Sequence, residues 1–168
     1  MKTALKTLSL SLLLSASMTA NAGWTVSGGY GSFNQDIDTT DVTLAAVYAS
    51  VGYAYESGDV TFMPELRAGV GVEDDMLYGV NVELDNLVVA SVRAQYNIND
   101  SFGVFIQPSY GRLESTARLG GQSVSDDAWE TGLGGGALFS VGANTSIEAV
   151  YESFDGTDVL SVGFRYSF

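Results

Sequence analysis

The sequence predicts an all-β chain that closes as a transmembrane antiparallel up-and-down β-barrel of eight strands, preceded by a cleaved leader. Three observations lead there. Residues 1–22 have the layout of a secretory signal. The rest of the chain falls into segments of about ten residues in which apolar and small or polar side chains alternate. Large aromatic residues collect at the ends of those segments.

The leader comes first. Lys2 and Lys6 supply a positive start, residues 8–17 form an apolar stretch with five leucines, and Ala20-Asn21-Ala22 offers the small-x-small pattern of a cleavage site. That stretch is too short for the roughly 20 apolar residues a transmembrane helix needs. The chain from Gly23 onward is then the folded domain, residues 23–168. Losing two lysines takes the formal charge from −13 to −15, leaving five arginines, no lysine and 20 acidic residues. Such a chain has no electrostatic reason to seek nucleic-acid phosphates. It contains no cysteine and no histidine. Disulfides, thiol chemistry and the commonest acid–base group at neutral pH are therefore absent.

The final segment alternates most clearly. Leu160, Val162, Phe164, Tyr166 and Phe168 interleave with Ser161, Gly163, Arg165 and Ser167. A first strand sets Trp24, Val26 and Tyr30 against Thr25, Ser27, Gly29 and Gly31. The second, within residues 42–55, is apolar on both faces; Val47, Ala49, Val51, Tyr53 and Tyr55 are assigned outward. The third sets Phe62, Pro64, Leu66, Ala68 and Val70 against Glu65, Arg67, Gly69 and Gly71. In the fourth Val88, Ala90, Val92, Ala94 and Tyr96 oppose Ser91, Arg93, Gln95 and Asn97. In the fifth Phe102, Val104, Ile106, Pro108 and Tyr110 oppose Gln107, Ser109 and Gly111. The sixth and seventh place Trp129, Leu133, Phe139, Ile147 and Tyr151 outward, with Glu130, Glu148 and Glu152 inward.

Short connections (56–59, 97–100, 141–144) alternate with segments read as loops at 34–41, 73–81 and 112–127 and a brief turn at 155–157. An even strand number leaves no edge unpaired in lipid. Pro64 and Pro108 fall inside predicted strands, where each removes a ladder hydrogen bond, so a local bulge is expected at both.

These residues resemble the small outer-membrane barrel family that includes OmpX, Ail and the membrane domain of OmpA. Ser161, Gly163, Tyr166 and Phe168 match that family's terminal motif of polar-x-Gly-x-x-aromatic-x-aromatic, and residues 64–69, Pro-Glu-Leu-Arg-Ala-Gly, look like its third strand. The resemblance implies that the last strand addresses the chain to the β-barrel assembly machinery. A monomer in the bacterial outer membrane, among lipids and lipopolysaccharide, is expected, and the short connections on one rim with longer ones on the other fit loops outside and both termini in the periplasm. Unlike in OmpA, no peptidoglycan-binding domain is expected beside the barrel.

Three groups of residues are candidates for function. Glu65, Arg67, Arg93, Gln95, Gln107, Glu130, Glu148 and Arg165 are expected in the lumen. Glu65 with Arg93, and Glu148 with Arg165, sit at matching heights on neighbouring strands. An eight-stranded barrel is just wide enough to be filled by side chains, which favours a plug. A narrow ion path gated by such pairs, as in a small porin-like channel, is the alternative. The acidic segments, with Asp36, Asp38 and Asp41 in the first, offer carboxylates suited to a hard cation such as Ca²⁺. A solvated, self-repelling rim is the plainer reading. Ser91, Ser109 and Ser161 have no histidine to activate them, so neither enzyme activity nor a cofactor is expected. The expected role is display of acidic loops for adhesion, envelope protection or structure.

Overall fold

The computed structural model describes residues 23–37, 40–77, 80–119 and 122–168, with side chains described outside 35–42, 74–82 and 117–126. Among the described residues every regular element is a strand: β1 (Trp24–Ile37), β2 (Thr40–Tyr53), β3 (Tyr55–Ser57), β4 (Val60–Leu77), β5 (Val80–Asn97), β6 (Phe102–Leu119), β7 (Gln122–Ser140), β8 (Thr145–Phe154) and β9 (Thr157–Ser167). All neighbours are antiparallel. β1 pairs with β9 from Thr25↔Ser167 to Gln35↔Thr157, and β2 pairs with β4, so the sheet closes on itself. β2 and β3 form one wall strand interrupted at Ala54, which gives eight staves.

The predicted faces hold. Phe62, Leu66, Val92, Ile106, Leu133, Leu160, Val162 and Phe164 are exposed on the outer surface, while Arg67, Ser91, Gln107, Glu148 and Ser161 are buried within. The doubly apolar second strand resolves as expected. Val47 points out, and Ala46, Ser50 and Gly52 point in, because Ser50 hydrogen-bonds across to Ser27 at 2.6 Å.

The segments read as loops correct the sequence analysis. Much of 34–41, 73–81 and 112–127 is strand: Asn34↔Thr43 continues to Ile37↔Thr40, Asp74↔Glu83 to Leu77↔Val80, and Arg112↔Trp129 to Leu119↔Gln122. Beyond the barrel the two legs of each hairpin satisfy one another's backbone groups as a ribbon. These stretches carry charged residues on both phases, so no lipid-facing alternation marks them. The end with these three ribbons is called the ribbon rim, and the end with both termini the terminal rim. The β8–β9 hairpin has no ribbon and reverses at Asp155-Gly156, where Gly156 takes φ 84°.

Neither proline carries the expected bulge. At Pro108 the β5–β6 ladder skips from Ser91↔Ser109 to Ala94↔Ile106, equal numbers of residues on both strands. At Pro64 the ladder passes from Gly52↔Glu65 to Tyr55↔Phe62 in the same way. Each proline faces a short gap in pairing on one side and keeps an unbroken ladder on the other (Pro64↔Val92, Pro108↔Leu133). Register shifts occur instead beside Ala45, Val70 and Leu84, near the ribbon rim.

Candidate functional site

The alternation that puts apolar residues outside forces Glu65, Arg67, Arg93, Gln107, Glu148, Glu152 and Arg165 into a lumen too narrow for water to solvate them. Burial without compensation is costly for any charge, and they compensate one another. Glu148 on β8 accepts from Arg93 Nη1 at 2.7 Å and from Arg165 Nε and Nη2, both at 3.1 Å. Arg165 Nη2 also lies 2.6 Å from Glu65 Oε2, and its Nη1 donates to Thr25 at 3.0 Å. Arg67 on β4 grips Glu152 on the opposite wall in a two-point pair at 2.6 and 2.9 Å. Ser109 (2.9 Å) and Gln107 (3.2 Å) donate to the same carboxylate, and Arg93 Nε donates to Gln107 at 3.0 Å. The Arg93 guanidinium lies over the Phe105 ring, 3.8 Å from its centroid. Three arginines thus meet three glutamates, and the cluster is formally neutral.

The expected Glu65–Arg93 pair is not made. The ladder sets Met63 opposite Arg93 and Ser91 opposite Glu65, so both long side chains reach across the lumen instead. Glu148 and Arg165 do pair as expected. Gln95 stands apart at the terminal rim, donating to Asn97 at 2.6 Å. Glu130 lies at the ribbon rim, half-buried and away from the cluster. The strand of Asp36 and Asp41 is described without their side chains, and Asp38 lies outside the described residues, so the suggested cation site is not placed. Among described residues no group of metal-ligating side chains gathers.

Glu152 and an apolar cap were missing from the candidate site. Above the Arg67–Glu152 pair, Phe33, Leu44, Leu87, Val89, Phe154 and Val159 bury one another inside the lumen. The cavity left between pair and cap is about 10 Å³, room for about one water. Toward the terminal rim the lumen opens instead as a polar vestibule of about 450 Å³, floored by Thr25, Met63 and Arg165. The cap's signal was present in the sequence as apolar residues on the inward phase near strand ends.

Residues 7–168 match the family described as outer membrane protein beta-barrel domain. The chain belongs to this family. Comparison with curated proteins finds no match by sequence. Among solved structures, the chain is similar to Neisserial surface protein A at 15% identity and a TM-score of 0.64, over 88% of this chain and 98% of that one. It is similar to Ail of Yersinia pestis at 18% and 0.61, over 89% and 100%. The N-terminal β-barrel domain of Pseudomonas aeruginosa OprF gives 13% and 0.64, over 89% and 100%. At these identities the likeness is one of fold. Membership of this outer-membrane barrel family places the chain in the bacterial outer membrane.

The family setting explains the outer surface. Tyr55, Phe62, Tyr96, Phe102, Phe139, Tyr166 and Phe168 ring the terminal end, and Tyr30, Tyr110, Trp129 and Tyr151 ring the other. Tyr110 stacks on Trp129 with centroids 5.1 Å apart, and Tyr166 meets Phe168 edge-on at 5.0 Å. Such girdles sit at the two lipid–water interfaces. Of the terminal motif, Tyr166 and Phe168 face lipid, while Ser161 and Gly163 face the lumen, Gly163 beside the Tyr48 hydroxyl.

Proposed function

We propose that this protein is a plugged outer-membrane barrel that holds acidic ribbons at the cell surface for contact with other molecules, rather than a channel or an enzyme. The observation that carries the reading is the neutral cluster of three arginines and three glutamates sealed beneath an apolar cap. Ions crossing that layer would have to break buried two-point pairs and wet an apolar plug.

The same cluster sorts the charge. Of the 20 acidic residues, Glu65, Glu148 and Glu152 are neutralised in the lumen, and Glu56, Asp59 and Asp100 lie at the terminal rim. The other 14 belong by chain position to the ribbon end, with only Arg112 and Arg118 as cations; Arg112 is already paired with Asp127 at 2.9 Å. Ail has been solved with the heparin analogue sucrose octasulfate. An end so rich in carboxylates favours cationic partners over such a polyanion.

In this reading residues 1–22 are removed on export, and both termini face the periplasm. Ser161, Gly163, Tyr166 and Phe168 serve as the signal for the assembly machinery. The barrel sits as a monomer among lipids and lipopolysaccharide. An epitope inserted at 120–121, between β6 and β7, tests the orientation. Antibody should stain intact cells; staining only after permeabilisation would place the ribbons in the periplasm and end the display reading.

A further inference from the structure

The hairpins at the ribbon rim are unequal. β6 and β7 stay paired out to Leu119↔Gln122, whereas β7 meets β8 only from Leu133↔Ser153 onward. Residues 122–132 of β7 are therefore paired along one edge, and among the described residues no strand occupies the other. On the far side of the short hairpin β1 is covered by β9 as far as Gln35↔Thr157, so the open edge beside this hairpin is chiefly that of β7; β2 at 40–44 and β4 at 74–77 are also paired on one side only.

Successive residues of an edge strand turn their N–H and C=O groups alternately toward the partner and away from it, so the free edge of β7 offers donors and acceptors with no sheet to receive them. Proteins usually blunt such edges with proline, a bulge or charge, lysine above all; the charges here are all acidic, Asp126, Asp127 and Glu130, and repel only partners of like sign. Residues 122–132 contain neither proline nor lysine, and their register with β6 runs through unshifted.

Beside this edge lies a notch of about 680 Å³, walled by Trp129, Glu130 and Thr131 of β7 and by Phe154 and Asp155 of the short hairpin. Trp129 is exposed on the outer face, stacked on Tyr110. Glu130 is on the other face, and its buried Oε2 atom has no hydrogen-bond partner. The notch thus offers an apolar ring to one face of an incoming strand and unpaired carboxylate to the other, with the period of two that a strand itself has.

We infer that the free edge of β7 takes up an extended peptide in which apolar residues alternate with lysine or arginine, added to the sheet as a further strand. The inference rests on the display reading and names the partner class. Main-chain hydrogen bonds supply the affinity of strand addition, and alternate side chains set its register. The acidic ribbon end draws the basic face in.

The test uses the mature barrel folded in zwitterionic micelles and a short capped peptide of alternating lysine and valine, read by amide exchange. Exchange at the amides of residues 128–132 that face away from β6 should slow by about tenfold or more, saturably, while amides at the terminal rim stay unchanged. Methylating the backbone nitrogens of every lysine, or of every valine, should weaken one of the two peptides by about tenfold, since only one phase donates to β7. E130Q with D155N should weaken binding and flatten its salt dependence. No protection at 128–132 would overturn the inference. So would equal binding of both methylated peptides, which would reduce the contact to charge alone. Protection of the edge by lipopolysaccharide but not by the peptide would assign it to lipid instead. Both ends of the barrel are reachable in micelles, so this result does not depend on how the barrel is oriented in the cell, which the epitope test decides separately.

Discussion

Replacing Arg165 with methionine removes the cation that joins Glu65 to Glu148 in the lumen cluster. Glu148 keeps Arg93 at 2.7 Å. Glu65 loses the arginine held 2.6 Å away, and both partners of that pair are only 4% exposed. Breaking a buried pair by removing one partner costs about 3–5 kcal/mol, whereas replacing both by neutral groups of similar size is often close to neutral. R165M should therefore lose about 3–5 kcal/mol. R165M with E65Q should recover most of that loss, since no carboxylate is then stranded. E65Q alone leaves Arg165 paired with Glu148 and should cost less than R165M, about 1.5–3 kcal/mol, the range for a hydrogen bond to a charged group. The assay is urea unfolding of the refolded barrel, followed by the fluorescence of Trp24 and Trp129, one at each girdle, with unboiled gel migration as the check on folding. A loss below about 1 kcal/mol for R165M, or a double variant no more stable than the single, would refute this account of the cluster.

Two further outcomes follow from the wall. A Cβ on Gly29 would overlap the Val162 carbonyl and the Tyr48 hydroxyl, whereas one on Gly142 would meet nothing within 4 Å. G29A should then cost about 1–3 kcal/mol through overpacking and G142A almost nothing in the same unfolding assay. Deleting Phe168 should reduce the amount of folded barrel in outer-membrane fractions while leaving refolding in detergent nearly intact; equal loss in both would make the residue structural rather than an assembly signal.

The barrel was legible because lipid enforces one rule on every wall residue. Phe164 and Val162 must face out and Ser161 and Arg165 in, and period two carries that rule in the sequence alone. The ribbons were not legible, because β6 and β7 beyond Arg112 carry charged residues on both phases and their strand character comes from pairing with each other. The members of the lumen cluster were largely visible as inward polar residues. Their partners were only partly visible: neighbour-strand heights gave Glu148 with Arg165 correctly but suggested Glu65 with Arg93, while the long side chains span a narrow lumen and Glu65 meets Arg165 from β9. Which carboxylate meets which guanidinium depends on barrel closure and stagger, and no single strand records those.

Single-channel recording on the purified barrel in planar bilayers tests the sealed lumen most directly. With the neutral cluster and its apolar cap intact, the membrane should show no steady opening. A stable conductance in the nanosiemens range would contradict the plug and favour a small porin-like channel.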